Sequence, residues 1–149
     1  ITYNIKMGLF SKQISECGWG PQLTLTMPSC TTSSSGSPCD RTYRLYLPDG
    51  VCTKQGNNDI IPLMFAMHCY GCTSQIMEGF RETSDKFGMA LVLPDGKHRS
   101  WNAVNCCGQA LTDDLDDIGF LRNIIKELTT QYTIFEYDFT YGVGWSNGG

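Results

Sequence analysis

The sequence predicts an α/β fold in which a mostly parallel sheet carries helices on both faces. Two short, almost wholly apolar runs, at residues 60–67 and 89–93, are typical of central strands that are covered on both sides. Amphipathic helical stretches follow both runs, so strands and helices alternate along the chain, as in a parallel sheet. At 149 residues the chain has the size of one domain.

We divide this domain into two parts. Residues 1–40 are polar and are predicted to be an irregular segment that contains cysteines. Within it, residues 29–38 are rich in Ser, Thr, Gly and Pro, and we expect a surface loop held by Cys30 and Cys39. Residues 41–149 form the α/β part, which begins with alternating β-formers at 42–47 and a turn at Pro48-Asp49-Gly50.

Two helices and three further strands are predicted after that turn. The run at 60–67 is a strand, and a helix over 74–87 follows it, with Gly88 as its C-terminal cap. The expected apolar face of this helix consists of Ile76, Met77, Phe80, Thr83, Ser84 and Phe87. The strand at 89–93 is closed by Pro94-Asp95-Gly96.

The second predicted helix is capped by Thr112 and Asp113 and runs to about Gln131. Its expected apolar face consists of Leu115, Ile118, Leu121, Ile124, Ile125 and Leu128. A short last strand at 139–144 completes the pattern. The acidic residues near the helix start could suggest calcium, but the helix dipole explains them more simply; they are Asp113, Asp114, Asp116 and Asp117.

Composition excludes several classes of protein. With 41% hydrophobic and 17% charged residues, the chain is neither disordered nor a coiled coil. A net charge of −4 gives no basic surface for nucleic acid, and no apolar run is long enough to span a membrane. The chain begins at Ile1 without a signal-peptide core, so we expect a piece of a longer protein that is open at both ends.

The eight cysteines favour an oxidising compartment and disulfide bonds. Free core thiols are the alternative, and the sequence does not determine which cysteines pair. Cys69 and Cys72 form a C-x-x-C pattern that could also be a redox site or half of a zinc site. The vicinal pair Cys106-Cys107 is unsuitable as the other half, so no metal is expected.

One motif carries the predicted chemistry. Gly144-Trp145-Ser146-Asn147-Gly148 fits G-x-S-x-G, the nucleophile elbow of α/β-hydrolases, and it follows a predicted strand and two earlier βα units. A tight strand-to-helix turn would expose the hydroxyl of Ser146, and the small flanking residues would permit that turn. The backbone N–H of Asn147 would then point at the oxyanion of a tetrahedral intermediate.

A second oxyanion donor is expected in the loop after the central strand, His68-Cys69-Tyr70-Gly71. By position the candidate is the backbone N–H of Tyr70. We expect His68 to hold this loop through a hydrogen bond rather than to act as a base. His98 is interpreted as a solvated loop residue, and Trp101 as part of the core or of a cleft lining.

Several motifs in the same order resemble secreted feruloyl esterases and polyhydroxybutyrate depolymerases, which are α/β-hydrolases. The motifs are Arg41-Thr-Tyr-Arg-Leu-Tyr-Leu-Pro48, His68-Cys-Tyr-Gly-Cys72, Trp101-Asn102 with Cys106-Cys107-Gly108, Asp116-Asp117-Ile-Gly-Phe-Leu121 and Gly142-Val-Gly-Trp-Ser-Asn-Gly-Gly149, with a weaker echo at Cys17-Gly-Trp-Gly-Pro21. The resemblance implies a secreted carboxylic ester hydrolase without a cofactor. Its substrate would be a feruloylated plant cell-wall polysaccharide or a polyester. Ser146 would be the nucleophile, and the amides of Tyr70 and Asn147 would be the oxyanion donors.

This chain departs from the family in two ways. The family usually has His-Gly where this sequence has His68-Cys69, and its catalytic acid and base lie beyond the serine. We therefore expect an α/β-hydrolase domain cut off after its nucleophile elbow and inactive by itself. The alternatives are a serine peptidase of the prolyl-oligopeptidase type and a non-catalytic hydrolase-like module that binds carbohydrate or a partner protein. The ester and the oligomeric state stay open.

Overall fold

The computed structural model describes residues 17–33, 36–52 and 59–149, which build one five-stranded sheet with helices packed on it. The strands are β1 (Gly18–Met27), β2 (Cys39–Leu47), β3 (Leu63–Met67), β4 (Ala90–Pro94) and β5 (Thr140–Gly144). The α-helices are α1 (Asp49–Cys52), α2 (Arg81–Phe87), α3 (Gly108–Thr112) and α4 (Asp117–Gln131). Short 3₁₀ helices cover Ser74–Phe80, Lys97–Arg99, Tyr137–Phe139 and Ser146–Gly148.

The sheet is mixed, with strand order β1-β2-β4-β3-β5. Strand β3 is parallel to both β4 and β5, with Phe65 opposite Val92 on one side and Gly142 on the other. Strand β2 is antiparallel to both β1 and β4. The parallel arrangement predicted from the apolar runs is therefore found in β3–β5, and an antiparallel pair extends that sheet at one edge.

Helices cover both faces of the sheet, as predicted. On one face, α4 packs Phe120, Ile124 and Leu128 against a large apolar cluster from β2, β3 and β4. On the other face, Met77 from the first 3₁₀ helix packs against a smaller cluster that includes Met64 and Leu91. Alternate residues of β3 and β4 thus enter opposite clusters, which explains why both runs are apolar throughout.

The prediction that residues 1–40 are irregular is wrong for Gly18–Met27, which forms the ten-residue strand β1. After the Gly20-Pro21 pair, apolar residues alternate with polar ones at Leu23, Leu25 and Met27, which is a pattern typical of a strand. Residues 1–16 lie outside the described part. The loop that follows β1 is closed by a disulfide between Cys30 and Cys39, as expected.

The helix predicted over 74–87 is divided into a 3₁₀ helix, Ser74–Phe80, and α2. A 3₁₀ helix has three residues per turn, so the apolar face expected from a period of 3.6 is not maintained. Met77 and Ser84 are buried, whereas Ile76 and Phe87 are exposed. Gly88 has φ +64° and ψ +38°, and it ends α2 in the left-handed conformation, as predicted.

The predicted cap at Thr112 and Asp113 is also wrong, because Thr112 ends α3 and a new helix begins at Asp117. The N-cap of α4 is Asp116, whose carboxylate accepts a hydrogen bond of 2.8 Å from the N–H of Gly119. Asp113 and Asp114 precede α4, so the helix dipole explains only the other two acids. Ile118 is exposed, while Ile124, Ile125 and Leu128 are buried as expected.

Candidate active site

Ser146 lies at the tip of a sharp turn directly after β5. The chain is extended at Trp145, with φ −115° and ψ +122°, and Ser146 then adopts φ +55° before a 3₁₀ turn to Gly148. Residues other than glycine rarely adopt this left-handed conformation, which costs about 1–3 kcal/mol and persists only where the surrounding structure enforces it. Ser146 is solvent-exposed, so the turn presents its hydroxyl outside the sheet.

Both glycines of the motif are required by close backbone contacts. A Cβ on Gly144 would overlap the carbonyl group of Gly148. A Cβ on Gly148 would lie 2.5 Å from the His68 oxygen and 2.6 Å from the Met67 oxygen. In addition, the N–H of Trp145 donates to the Met67 carbonyl at 3.1 Å. The spacing of the motif is therefore explained by the way that the turn sits against the end of β3.

The loop after β3 lies beside this turn, because Met67 and His68 contact it directly. Tyr70 occupies a turn bounded by a disulfide between Cys69 and Cys72, and the N–H of Gly71 donates to the Arg99 carbonyl at 2.7 Å. The C-x-x-C pattern thus forms a disulfide. Within residues 17–33, 36–52 and 59–149, no group of three or more His, Cys, Asp or Glu side chains is placed to hold a metal ion.

His68 is fully buried and both of its ring nitrogens are hydrogen-bonded. Nε2 accepts from the N–H of Gly96 at 2.9 Å, which leaves the proton on Nδ1 to be donated to the Cys69 carbonyl at 2.9 Å. The expectation that His68 holds the loop is confirmed. His98 is exposed, also as expected, with Nε2 3.5 Å from Asp113 Oδ2.

The side chain of Asn147 makes contacts that the motif did not predict. Its Oδ1 accepts from the N–H of Trp101 at 2.8 Å, and its Nδ2 donates to the Trp101 carbonyl at 3.1 Å and to the Cys106 carbonyl at 3.2 Å. The backbone N–H of Asn147 lies in the first turn of the 3₁₀ helix, where amides have no acceptor within the helix. Asn147 therefore joins the turn at Ser146 to a distant loop.

That loop is also held by the carboxylate of a buried ion pair. Arg41 Nη2 lies 2.7 Å from Asp117 Oδ1, and Oδ2 of the same carboxylate accepts from the N–H of Asn102 at 2.6 Å. Cys106 and Cys107, further along the loop, are joined by a disulfide. The ring of Tyr70 lies against Gly108, where a Cβ would come within 3.3 Å of ring carbons. The loop from Trp101 to Gly108 thus connects the elements that carry Tyr70 and Asn147.

The structure places Ser146 and Asn147 in one turn, and this turn contacts Met67 and His68 at the start of the loop that carries Tyr70. Ser146 presents an exposed hydroxyl, the amide of Asn147 follows it, and Tyr70 belongs to the neighbouring loop. Among the described hydrogen bonds, none joins the Ser146 hydroxyl to His68 or His98. The described part of the chain thus shows an exposed serine hydroxyl in this turn that neither histidine contacts through a hydrogen bond.

No family model matches the chain. The chain is 29% identical over 113 residues to a protein of Nocardia uniformis subsp. tsuyamanensis that is named as a candidate esterase, NocK. That alignment covers 73% of this chain and 31% of NocK. The chain thus spans about a third of this curated relative.

Solved structures similar to this chain include esterases and other hydrolases. The serine hydrolase FphF of Staphylococcus aureus has a TM-score of 0.56 at 12% identity, over 87% of this chain and 48% of FphF. An S-formylglutathione hydrolase from Agrobacterium tumefaciens has a TM-score of 0.54 at 14% identity, over 86% of this chain and 50% of that one. The ferulic acid esterase AmCE1/Fae1A from Anaeromyces mucronatus, solved with ferulic acid, has a TM-score of 0.51 at 14% identity, over 93% and 53%.

These likenesses show that the fold is of the α/β-hydrolase type, as the sequence predicted. The chain spans about half the length of these structures. In the described part of the chain, no helix has the length and apolar character needed to cross a membrane.

Proposed function

We propose that this chain carries the nucleophile of a carboxylic ester hydrolase that acts through an acyl-serine intermediate. The observation that supports this most directly is the left-handed backbone of Ser146 at the end of β5, between two glycines that admit no side chain. A solvated serine in an ordinary turn would need neither feature. The likeness to NocK and to esterase structures supports the same reaction class.

In the proposed reaction, Ser146 Oγ forms a bond to the ester carbonyl carbon while a general base accepts the hydroxyl proton. The N–H groups of Asn147 and Tyr70 stabilise the negative charge that develops on the carbonyl oxygen. Collapse of this intermediate breaks the bond to the alcohol oxygen, which leaves with the proton. Water then attacks the acyl-serine and releases the carboxylic acid.

We propose that the base of this mechanism is not His68, since both ring nitrogens of His68 are engaged by Gly96 and Cys69. In hydrolases with the G-x-S-x-G motif the acid and the base come later in the chain than the serine. The residues described here would then be inactive alone. The ester is proposed to be a hydroxycinnamoyl ester of plant cell-wall polysaccharide or a short polyester, on the strength of the sequence motifs. Disulfides at Cys30–Cys39, Cys69–Cys72 and Cys106–Cys107 support secretion.

The test uses the full-length natural protein and three substrates: ethyl ferulate, a 3-hydroxybutyrate oligomer and a Gly-Pro p-nitroanilide. We expect hydrolysis of at least one ester, and a loss of roughly 10⁴-fold or more in Ser146→Ala. Ser37→Ala, at an exposed serine in the loop closed by Cys30 and Cys39, is the matched control and should retain the wild-type rate.

Three results would contradict the proposal. Cleavage of the peptide anilide alone would indicate a peptidase. Absence of any hydrolysis by the folded protein would favour a binding module. Full activity in Ser146→Ala would remove the nucleophile from the mechanism.

A further inference from the structure

We infer that Trp101 and His68 are positioning residues. Together with the side chain of Asn147, they keep the Tyr70 amide aligned with Ser146. This inference rests on the proposed function, and it concerns how the two oxyanion donors are held relative to each other. The two donors belong to different loops, one after β3 and one after β5.

The first link joins Asn147 to Trp101. The amide group of Asn147 both accepts from the Trp101 N–H, at 2.8 Å, and donates to the Trp101 carbonyl, at 3.1 Å. Two hydrogen bonds of opposite direction to one residue fix the distance and the rotation between the segments. Because both residues are buried, with relative exposures of 6% and 4%, loss of these bonds would leave their polar groups without water as a replacement partner.

The second link joins Trp101 to the loop that carries Tyr70. The indole Nε1–H donates to the His68 carbonyl at 2.8 Å, and the indole and imidazole rings contact each other with centroids 5.0 Å apart. His68 has no solvent exposure, and its Nδ1–H holds the carbonyl of Cys69, the residue before Tyr70. His68 therefore orients the peptide group between Cys69 and Tyr70, which includes the Tyr70 N–H.

A glycine makes this packing possible. The N–H of Gly96 donates a hydrogen bond to Nε2 of His68. A Cβ on Gly96 would lie 3.0 Å from Trp101 Cε2 and 3.1 Å from His68 Nε2. The imidazole and the indole thus both pack closely against Gly96, in the segment that follows β4. A network that is completely hydrogen-bonded and packed in this way has one arrangement, which is what two anion donors on separate loops require.

The variant that isolates the network is Trp101→Phe, which keeps an aromatic ring but removes the indole N–H that holds the His68 carbonyl. Trp19→Phe makes the same chemical change in β1, where Trp19 packs on Tyr46, and is the matched control. The probes are p-nitrophenyl acetate and its thionoester analogue, hydrolysed by the full-length natural protein. Since a thiocarbonyl sulfur accepts hydrogen bonds poorly, the ratio of the oxoester rate to the thionoester rate reports on the oxyanion donors.

We expect Trp101→Phe to lower kcat for the oxoester about tenfold with little change in KM, and to reduce the oxoester-to-thionoester ratio. Trp19→Phe should leave both unchanged. A residue with a merely structural role would lower the amount of folded enzyme and slow both substrates equally. His68→Gln retains an acceptor for the Gly96 N–H but loses the Nδ1 donor, so it should reduce the ratio in the same way. It replaces Trp101→Phe in the test if that variant does not fold.

The outcomes separate the two proposals. A wild-type protein that hydrolyses neither probe contradicts the proposed function itself. If the wild-type protein is active and Trp101→Phe has the same oxoester-to-thionoester ratio as the wild type, the positioning role is overturned and the esterase proposal stands. His68→Gln is compared with the wild type in the same way if Trp101→Phe does not fold.

Discussion

Gly148 lies so close to the end of β3 that a methyl group on its Cα would sit 2.6 Å from the carbonyl oxygen of Met67. The same position would be 2.5 Å from the His68 oxygen. Both obstacles are backbone atoms, which cannot rotate away as a flexible side chain can. The turn that presents Ser146 is therefore built against β3 and depends on a residue without a side chain.

Gly148→Ala should move this turn away from β3. We expect a loss of about 1–3 kcal/mol in the free energy of unfolding and much slower modification of Ser146 by a fluorophosphonate. Gly142→Ala is the control, because its Cβ would meet Met67 Cε at an ordinary 3.6 Å. Equal labelling rates in the two variants would show that the close contact does not shape the turn.

The buried ion pair should be far more important for stability than an exposed one. Arg41→Ala leaves the Asp117 carboxylate buried without its cation, and we expect it to lower the free energy of unfolding by about 3–5 kcal/mol. Arg81→Ala breaks an exposed pair with Asp85, 3.9 Å apart, and should cost less than about 1 kcal/mol. Urea unfolding measures both, and similar losses would contradict this account.

Stability at high pH should depend on Tyr46. Burial, followed by the hydrogen bond of 2.6 Å that its hydroxyl donates to Asp85, raises the pKa of Tyr46 to about 12 from its ordinary value of 10.0. The folded state therefore holds this proton more tightly than the unfolded state. The resulting stabilisation is complete below pH 10, the usual value for tyrosine, and is lost as the pH rises towards 12.

Tyr46→Phe should accordingly flatten the fall in unfolding free energy between about pH 10 and 12. Tyr137→Phe, at an exposed tyrosine, should retain the wild-type slope. Urea unfolding at a series of pH values provides the comparison. A wild-type slope in Tyr46→Phe would show that the proton on Tyr46 is not held more tightly by folding.

The C-terminal cap of α2 gives a local test of backbone conformation. Gly88→Ala places a side chain at φ +64°, and we expect it to destabilise the protein by about 1 kcal/mol. Gly79→Ala lies in the preceding 3₁₀ helix, has no positive φ and has open space around its Cβ, so it should be neutral or slightly stabilising. Thermal unfolding distinguishes them, and the opposite ranking would refute the assigned cap.

Features with a local cause could be predicted from the sequence. The turn at Ser146 follows from the spacing of two glycines, and the cap at Gly88 from a glycine after an amphipathic stretch. The strands β3 and β4 follow from runs that are apolar because both faces are covered. The division between α3 and α4 is not evident from the sequence because four acids within the five residues 113–117 offer several possible N-caps. In the fold the cap is Asp116, whose N–H donates to the Cys30 carbonyl at 2.9 Å.

Contacts between distant residues could not be predicted in this way. Asn147 and Trp101 are 46 positions apart, and Arg41 and Asp117 are 76 apart. Neither contact produces a hydrophobic periodicity or a sequence motif within one segment of the chain. The sequence therefore indicates a role for the backbone amide of Asn147 but not for its side chain, whose partners come together only in the fold.

The central claim is that Ser146 is an activated nucleophile, and mapping of a covalent adduct tests it most directly. The full-length natural protein is treated with a fluorophosphonate, and the modified peptide is identified by mass spectrometry. We expect one adduct per molecule, on Ser146, that does not form after unfolding in urea. An adduct on another serine, or none on Ser146 in the folded protein, would contradict the account.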